Sequence, residues 1–430
     1  MSRLLIKHGR VVDPSQRLDE GLSILIVDGK VARLAERIED KAAEILDATG
    51  LVVAPGFLDV HVHLREPGFE YKETIATGSA AAAAGGFTGV CCMPNTQPVN
   101  DSAAVTEFIR ARAAEAGLAK VYPVGAVSKG LQGEELAEMG EMVRAGAVAF
   151  SDDGKPVHNA YLMRRALEYA QLFDVPIVDH CEDPNLAAKG VMHEGAVATR
   201  LGLRGSPAAA EDVMVARDVV LAELTGGRVH IAHVSTKGAL DRVREGKARR
   251  VRVTCEVTPH HLTLTDQAVA DTEYDTDTKM NPPLRSGEHV EALLQGVLDG
   301  TVDCLASDHA PHHADEKALE YDLAPFGVVG LETAIPVTYD LLVRRHKMPL
   351  RHFIALWSTN PARIFRLPGG TLKPGSPADI TLLDLDARLT VNPDRFLSLS
   401  RNTPFSGQRL KGWPAATLVG GSVVWRRERR

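Results

Sequence analysis

The sequence contains little cysteine, with only five in 430 residues. Cys91 and Cys92 are adjacent, the other three are scattered, and no CxxC pair occurs. A disulfide framework or a thiolate zinc site would require paired cysteines at short, regular spacings. The sequence therefore excludes both, and the scarcity of cysteine predicts a protein of the reducing cytoplasm.

An excess of basic residues is also absent. The 49 Lys and Arg residues are outnumbered by 56 Asp and Glu residues, which gives a net charge of −7. A nucleic-acid-binding surface needs a basic stripe to neutralise phosphates, so we expect no nucleic-acid partner. The hydrophobic content of 44% and the charged content of 24% exclude bulk disorder.

Long hydrophobic runs are missing too. The first ten residues hold only three consecutive apolar residues before Lys7, which is too few for a signal peptide. The segment from Thr74 to Asn100 carries no formal charge, but it consists largely of small residues and is interrupted by glycine and proline. We interpret it as a buried helix and strand rather than a membrane span.

The middle of the chain alternates between short β-rich apolar runs and longer stretches with helical periodicity. No GxGxxG follows the first of these runs, so nothing marks a dinucleotide-binding fold. Eight such units predict an α/β fold of the (β/α)₈ TIM-barrel class over residues 55–365, with a doubly wound open sheet as the alternative. The eight runs are 56–64, 88–95, 120–127, 147–154, 176–183, 228–235, 251–261 and 302–312.

Both ends of the chain are β-rich, unlike the middle. Asp28-Gly29 and Gly420-Gly421 are turn signals between strand-like runs. We therefore predict one small β-sandwich-like domain built jointly from residues 1–54 and 366–430.

Histidine and aspartate recur where the predicted barrel strands end. Catalytic residues of barrel enzymes lie at this rim, and the rest of the lining is expected to be ordinary aliphatic residues. The rim residues are His61, His63, Asp153, His180, His233 and Asp308.

These residue types indicate a metal centre. His61 and His63 are two apart on a strand, so both face the interior. Four histidines and two carboxylates exceed the needs of one tetrahedral zinc, and a carboxylate can bridge two ions. We predict one ion on His61, His63 and Asp153 and a second on His180, His233 and Asp153, with Asp152 as an alternative to Asp153. Zinc suits this set, and manganese or cobalt are possible substitutes. Asp308 is predicted to move the proton of the attacking water.

Other polar residues near the rim are candidates for substrate contacts. Arg65 follows His63 by two residues and offers a fork of donors to a carboxylate, unless it pairs with Glu66 or Glu70. Asn95, Asn281 and His312 are further candidates, and ordinary loop roles compete with each. The long segment from 310 to 330 is either a lid or a packed excursion. Spare histidines are His260, His261, His309 and His313.

Two stretches, DVHVHLREPG (59–68) and ASDHAPHHADEK (306–317), closely resemble the signature stretches of dihydroorotases in the amidohydrolase superfamily. Shorter matches occur along nearly the whole chain, among them MPNT, FSDDG, DHCED, AHVS, TPHHL, KMNPPLR, FGVVGLET and GTLKPGSPADITLLD.

The resemblance implies reversible, zinc-dependent closure of N-carbamoyl-L-aspartate to L-dihydroorotate, the third step of pyrimidine synthesis. It implies the metal ligands given above, with Asp308 as a further ligand and general acid/base. It also implies a homodimer and raises an association with aspartate transcarbamoylase. The substrate-binding positions that it implies are His63, Arg65, Asn95, Asn281, His312, Phe326 and Gly327.

Many members of the superfamily carry a carboxylated lysine on strand four, where this chain has Asp152-Asp153. Lys155 is the only nearby lysine, so the sequence resembles the subgroup that uses aspartate, and occupancy of the second metal position is left open. A hydantoinase or allantoinase is the nearest alternative. A non-catalytic partner of aspartate transcarbamoylase is another, but such proteins lose metal ligands and this chain has the full set.

Overall fold

The computed structural model describes residues 2–428. Its strands are β1 (Arg3–Asp13), β2 (Leu18–Val27), β3 (Lys30–Ala35), β4 (Glu44–Asp47), β5 (Val52–Pro55), β6 (Phe57–Val62), β7 (Phe87–Cys92), β8 (Lys120–Gly125), β9 (Ala149–Phe150), β10 (Ile177–Asp179), β11 (Met192–His193), β12 (Gly205–Ser206), β13 (Val229–Ile231), β14 (Val253–Val257), β15 (Cys304–Leu305), β16 (Ile380–Thr390), β17 (Arg409–Val419) and β18 (Ser422–Arg426).

The α-helices are α1 (Ile75–Ala84), α2 (Ala103–Ala116), α3 (Met139–Ala145), α4 (Ala160–Ala170), α5 (Pro184–Ala187), α6 (Ala196–Leu201), α7 (Ala209–Thr225), α8 (Lys237–Ala248), α9 (Pro259–Thr263), α10 (Gln267–Asp271), α11 (Gly287–Leu298), α12 (Ala314–Lys317), α13 (Ala334–Thr338), α14 (Leu350–Trp357) and α15 (Thr359–Phe365). A π-helical stretch (Tyr339–Arg345) follows α13 directly. Among the residues described, no helix is long and apolar enough to cross a membrane.

Eight parallel strands form the predicted barrel. β6, β7, β8, β9, β10, β13, β14 and β15 pair in that order. A parallel bridge joins Val62 to His309, and the His63 amide donates to the His309 carbonyl at 2.8 Å, which closes the sheet on itself. The barrel prediction is confirmed, and the doubly wound alternative is wrong because an open sheet would leave these two edges apart.

The uncharged segment 74–100 forms α1 and β7. Thr74 caps the helix through its side chain, which accepts from the Thr77 amide. The Thr77 side chain accepts in turn from the Thr74 amide. All six residues of β7 are buried. The small, uncharged residues therefore fill the barrel wall, as expected for a strand that is covered on both faces.

The two ends of the chain meet in a second sheet. Its order is β18-β17-β16-β5-β1-β2-β3, and β4 also pairs with β1. β5 links the two ends because it runs parallel to β1 and antiparallel to β16. Apolar residues from both ends, such as Ile6, Ile24, Ile380 and Leu418, share one buried core.

Both predicted turn dipeptides form tight hairpins. Asp28 and Gly29 have φ values of 47° and 75°, and Gly420 and Gly421 have 54° and 79°. Two consecutive positive φ values are the mark of the type I′ turn. The two turns also touch, because a Cβ on Gly29 would lie 2.8 Å from the Gly420 carbonyl oxygen.

The barrel and the terminal sheet join over short connections. β5 ends at Pro55 and β6 begins at Phe57. Residues 391–408, between β16 and β17, extend to the barrel, where Val329 donates its amide to the Asn402 carbonyl at 2.8 Å. The division at residues 54/55 and 365/366 stays a prediction.

Candidate active site

The six predicted rim residues converge at the carboxyl ends of the barrel strands. His61 lies in β6 and His63 just after it, while Asp153, His180, His233 and Asp308 follow β9, β10, β13 and β15 within three residues. All six are buried. The closed barrel explains why residues up to 247 positions apart in sequence lie together at one end.

Asp153 is at the centre of this cluster. Its Oδ1 lies 3.4 Å from His61 Nε2, 3.5 Å from His180 Nδ1 and 3.2 Å from His233 Nε2. Its Oδ2 lies 3.4 Å from His63 Nε2. Four imidazoles thus face one carboxylate, which is the position that a bridging ligand requires.

Asp308 contacts the same cluster from the other side. Its Oδ1 is 3.3 Å from His63 Nε2 and 3.7 Å from His61 Nε2. Burial raises the pKa of this carboxyl group, but the nearby His63 and His61 outweigh burial and hold the pKa below its ordinary value. Asp308 is therefore a carboxylate, the form that accepts a proton.

The charges in the cluster depend on one another. Burial lowers the pKa of His180, but Asp153 outweighs burial and raises that pKa to about 9. Burial likewise raises the pKa of Asp153, but His61, His180 and His233 hold it well below its ordinary value. The cluster thus favours the charged carboxylate form of Asp153 and the protonated form of His180.

Three polar residues fix the orientation of the histidine rings. The Nδ1–H of His61 donates to Glu256 Oε1 at 2.7 Å, and the Nδ1–H of His63 donates to Asn95 Oδ1 at 2.8 Å. The side-chain amide of Asn281 contacts His180 Nε2 at 3.2 Å. Each contact leaves the other ring nitrogen facing Asp153, and such outer contacts orient metal-binding histidines.

The barrel interior holds buried polar residues beside the aliphatic lining that the sequence suggested. Leu58, Val124 and Val178 belong to one buried apolar cluster, but Asp59, His230 and Glu256 are also buried. His230 Nε2 contacts Glu256 Oε2 at 3.2 Å, and burial raises the pKa of Asp59 to about 7. The expectation missed these three polar groups, which hydrogen bonds stabilise in the interior. Asp59 is two residues before His61, so the period of two was a usable signal.

Asp152 is turned away from the cluster. Its Oδ1 accepts from the Val127 and Ser128 amides, each at 2.9 Å, and Ser128 Oγ bonds its other oxygen. Burial raises its pKa to about 6. Lys155 also points elsewhere and donates to the Leu131 carbonyl at 3.3 Å. Of Asp152, Asp153 and Lys155, only Asp153 faces the histidines.

Three residues of the site have left-handed backbone conformations. The φ values are 64° for Arg65, 30° for His233 and 48° for Asp308. Such φ values are uncommon for residues other than glycine and persist where the surrounding structure imposes them, often at functional sites. Of the fifteen non-glycine residues with positive φ among residues 2–428, these three belong to the predicted site.

The candidate carboxylate-binding residues lie beside the predicted metal ligands. Arg65 Nε donates to the Pro311 carbonyl at 3.1 Å, and Arg65 Nη2 lies 3.4 Å from His312 Nε2. His312 Nε2 donates to the Phe326 carbonyl at 2.8 Å. Burial, with the charges of Arg65 and Lys72, lowers the pKa of His312 to about 2, so its ring is neutral. The alternative pairing of Arg65 with Glu66 or Glu70 does not occur, because Glu66 binds Arg112 and Glu70 accepts from the Gly68 amide.

The spare histidines have structural roles, apart from His260. His261 bonds Thr258 Oγ1 and the Pro282 carbonyl, and His309 contacts Glu73 Oε2 at 3.2 Å. His313 caps α12. His260 is buried, and its Nε2 has no hydrogen-bond partner in the part of the chain that the structure describes.

The donor set fits a divalent metal ion. His61 Nε2 is buried and has no hydrogen-bond partner among residues 2–428, although it points at two carboxylates. His61, His63 and Asp308 bring ligand atoms within 4.8 Å of one another, and so do His61, Asp153 and His233. Imidazole and carboxylate donors without thiolate suit zinc and similar ions.

Comparison with known proteins identifies the family. Residues 50–239 match the sequence model of a family described as "Dihydro-orotase-like". Over 422 residues the chain is 58% identical to a dihydroorotase of Pelotomaculum thermopropionicum, covering 98% of both chains. It is 53% identical over 425 residues to a dihydroorotase of Geobacter metallireducens, covering 99% of this chain and 100% of that relative.

Solved structures share the fold. An L-hydantoinase (dihydropyrimidinase) from Arthrobacter aurescens has a TM-score of 0.88 at 26% identity, covering 100% of this chain and 97% of that chain. A dihydropyrimidinase from Brevibacillus agri has a TM-score of 0.86 at 23% identity, covering 99% and 95%. The chain is a metal-dependent cyclic amide hydrolase, and its sequence relatives show that it belongs to the dihydroorotase family.

Proposed function

We propose that this chain catalyses the reversible closure of N-carbamoyl-L-aspartate to L-dihydroorotate, with release of water, in the synthesis of pyrimidines. One observation carries the choice of substrate: Arg65 lies beside the predicted metal ligands, and among the residues described its guanidinium donates only to the Pro311 carbonyl, because His312 Nε2, 3.4 Å away, is itself a donor. A half-buried cation without an anionic partner favours a carboxylate ligand. Dihydroorotate carries a ring carboxylate, and hydantoin does not.

We infer that the cofactor is zinc, with one or two ions in each subunit. His61, His63 and Asp153 would hold one ion, with Asp308 beside it, and Asp153, His180 and His233 would hold the second. A bound ion would polarise the ring carbonyl and lower the pKa of water to about 7. The unpartnered His61 Nε2 supports this assignment.

Asp308 is the residue that we assign to proton transfer. In the hydrolytic direction, water adds to the ring amide carbonyl, Asp308 takes the proton of that water, and the carbon–nitrogen bond breaks as Asp308 gives the proton to the leaving nitrogen. In the synthetic direction, Asp308 takes a proton from the carbamoyl nitrogen as that nitrogen attacks the carboxyl carbon, and it then gives the proton to the carboxyl oxygen, which leaves as water when the carbon–oxygen bond breaks. The nearness of Asp308 Oδ1 to His63 Nε2, at 3.3 Å, supports this role.

The remaining candidates surround the ring. Arg65, Asn95 and His312 would hold the carboxylate, while His63, Asn281 and the backbone of Phe326 and Gly327 would face the ring. Asn95 can donate to the carboxylate through Nδ2, because the atom that bonds His63 is its Oδ1.

Substitution of Arg65 tests the substrate assignment. We expect Arg65→Met to raise the KM for L-dihydroorotate about 10–100-fold, because a charged hydrogen bond is lost. Arg112→Met is the matched control, since Arg112 pairs with Glu66 and Glu115 outside the site. An unchanged KM in Arg65→Met, measured by steady-state kinetics, contradicts the assignment.

Three further expectations stay predictions. A homodimer and an association with aspartate transcarbamoylase come from the family resemblance, and a cytoplasmic location comes from the scarcity of cysteine.

A further inference from the structure

Asn402 belongs to the connection between β16 and β17, but its side chain reaches the barrel mouth. It is 5% exposed. Its Oδ1 accepts from the His312 amide at 3.3 Å, and its Nδ2 donates to the Gly327 carbonyl at 3.0 Å and to the Ala310 carbonyl at 3.4 Å. One residue of the terminal β domain therefore bonds both sides of the 310–330 segment.

Gly327 is closely packed, and both its amide and its carbonyl form hydrogen bonds. Its φ is 130°, and a Cβ there would lie 2.7 Å from Ala310 Cβ and 3.1 Å from His312 Nε2. Its amide donates to the Lys279 carbonyl at 2.9 Å, and its carbonyl also accepts from Lys317 Nζ at 3.1 Å. The close approach of Gly327 to His312 thus depends on groups outside the loop that carries both.

Two buried lysines hold the same segment as a packed excursion. Lys279 Nζ donates to the carbonyls of Tyr321 and Ala324 at 2.6 and 2.7 Å. Lys317 Nζ donates to the Pro325 carbonyl at 3.2 Å. The lysines fix residues 321–327, and Asn402 joins this part of the segment to the backbone of His312, beside the direct bond from His312 Nε2 to the Phe326 carbonyl.

We propose that Asn402 is a positioning residue for recognition of the ring carboxylate. It acts through His312 and Gly327, and it makes substrate binding depend on the terminal β domain. This inference rests on the proposed function, because His312 and Arg65 are the groups assigned to the carboxylate.

The test uses the full-length, metal-loaded protein with the variants Asn402→Ala and Asn402→Asp. KM and kcat are measured with L-dihydroorotate, together with the inhibition constant of orotate, which has the same carboxylate. We expect Asn402→Ala to raise both KM and the inhibition constant about tenfold, the effect of one or two lost hydrogen bonds, while kcat stays within about twofold. Asn402→Asp is isosteric and keeps the acceptor for the His312 amide, but it loses both donated bonds, so we expect at least the same rise in KM.

Asn360→Ala is the matched control, because Asn360 Nδ2 also donates to a backbone carbonyl, that of Asp303, at 2.8 Å. We expect this variant to lower Tm without changing KM. A fall in kcat at constant KM in both Asn402 variants, or effects equal to those of Asn360→Ala, overturns the proposal. A wild-type protein that does not turn over dihydroorotate instead refutes the proposed function itself.

Discussion

Asp152 and Asp153 are adjacent carboxylates with different partners. Asp153 faces four imidazoles, whereas Asp152 accepts from two backbone amides. We therefore expect Asp153→Asn to lose most of its bound metal and its activity, because an amide is a poor bridging ligand. Asp152→Asn is the matched control and should retain its metal, since its amide oxygen can still accept from the backbone. Metal content measured after purification without chelator decides between them, and equal losses would contradict the assignment.

The proton-transfer role predicts a different pattern for Asp308. We expect Asp308→Asn to keep metal on the other five ligands but to lower kcat by about 10²–10⁴-fold, the usual contribution of a general acid/base. The measurement combines metal analysis with steady-state turnover of dihydroorotate. Near-normal turnover in the metal-loaded variant would rule out the role.

The convergence of the six rim residues could be predicted from sequence, but the contacts that Glu256 and Asn402 make with site histidines could not. His61, His63 and Asp308 occur at strand ends in recognisable stretches, so the barrel rule placed them together. Glu256 bonds His61 across 195 positions, and Asn402 bonds His312 across 90. Such partners follow from the pairing of distant strands and loops, and no local spacing indicates them.

At the scale of elements, the strands were predictable because parallel strands are buried on both faces and appear as short apolar runs. The inserted pair β11 and β12, with α5 and α6, was not predicted. Its strands have two residues each, so they show no period of two. The packing of residues 310–330 also depends on buried lysine contacts that the sequence pattern does not show.

The contact between the two hairpin turns predicts a stability effect. Gly29 has a φ of 75° and faces the Gly420 carbonyl, whereas Gly117 has a φ of 62° and open space within 4 Å of the point where a Cβ would lie. Each change to alanine should cost about 1–2 kcal/mol for the left-handed backbone. We expect Gly29→Ala to lower the free energy of unfolding further, because its Cβ also displaces the second hairpin. Equal losses in urea unfolding would show that the turns do not support each other.

At the scale of the whole molecule, Glu332 couples the barrel to the connection between β16 and β17. Its Oε1 accepts from the Leu397 and Ser398 amides at 2.8 and 3.1 Å, and burial raises its pKa from 4.5 to about 8. A folded-state pKa above the unfolded value stabilises the fold at low pH. This contribution is complete below about pH 4.5 and is lost as the pH rises through about 8.

We therefore expect the stability of the wild type, relative to Glu332→Gln, to decrease between about pH 4.5 and about pH 8. Glutamine keeps the accepting oxygen and removes the ionisation. Glu134→Gln is the control at an exposed position, and its difference from the wild type should not change over this range. The measurement is the Tm of each protein as a function of pH. A constant difference in Tm between the wild type and Glu332→Gln would contradict the coupling.

We assign the hydrolysis of a carboxylated cyclic amide to a metal centre of histidines and aspartates with Arg65 beside it. The decisive measurement compares kcat/KM for L-dihydroorotate, hydantoin and allantoin on protein of known metal content. We expect dihydroorotate to be strongly preferred and chelation of the metal to abolish its turnover. Preference for hydantoin or allantoin, or full activity in metal-free protein, would contradict this assignment.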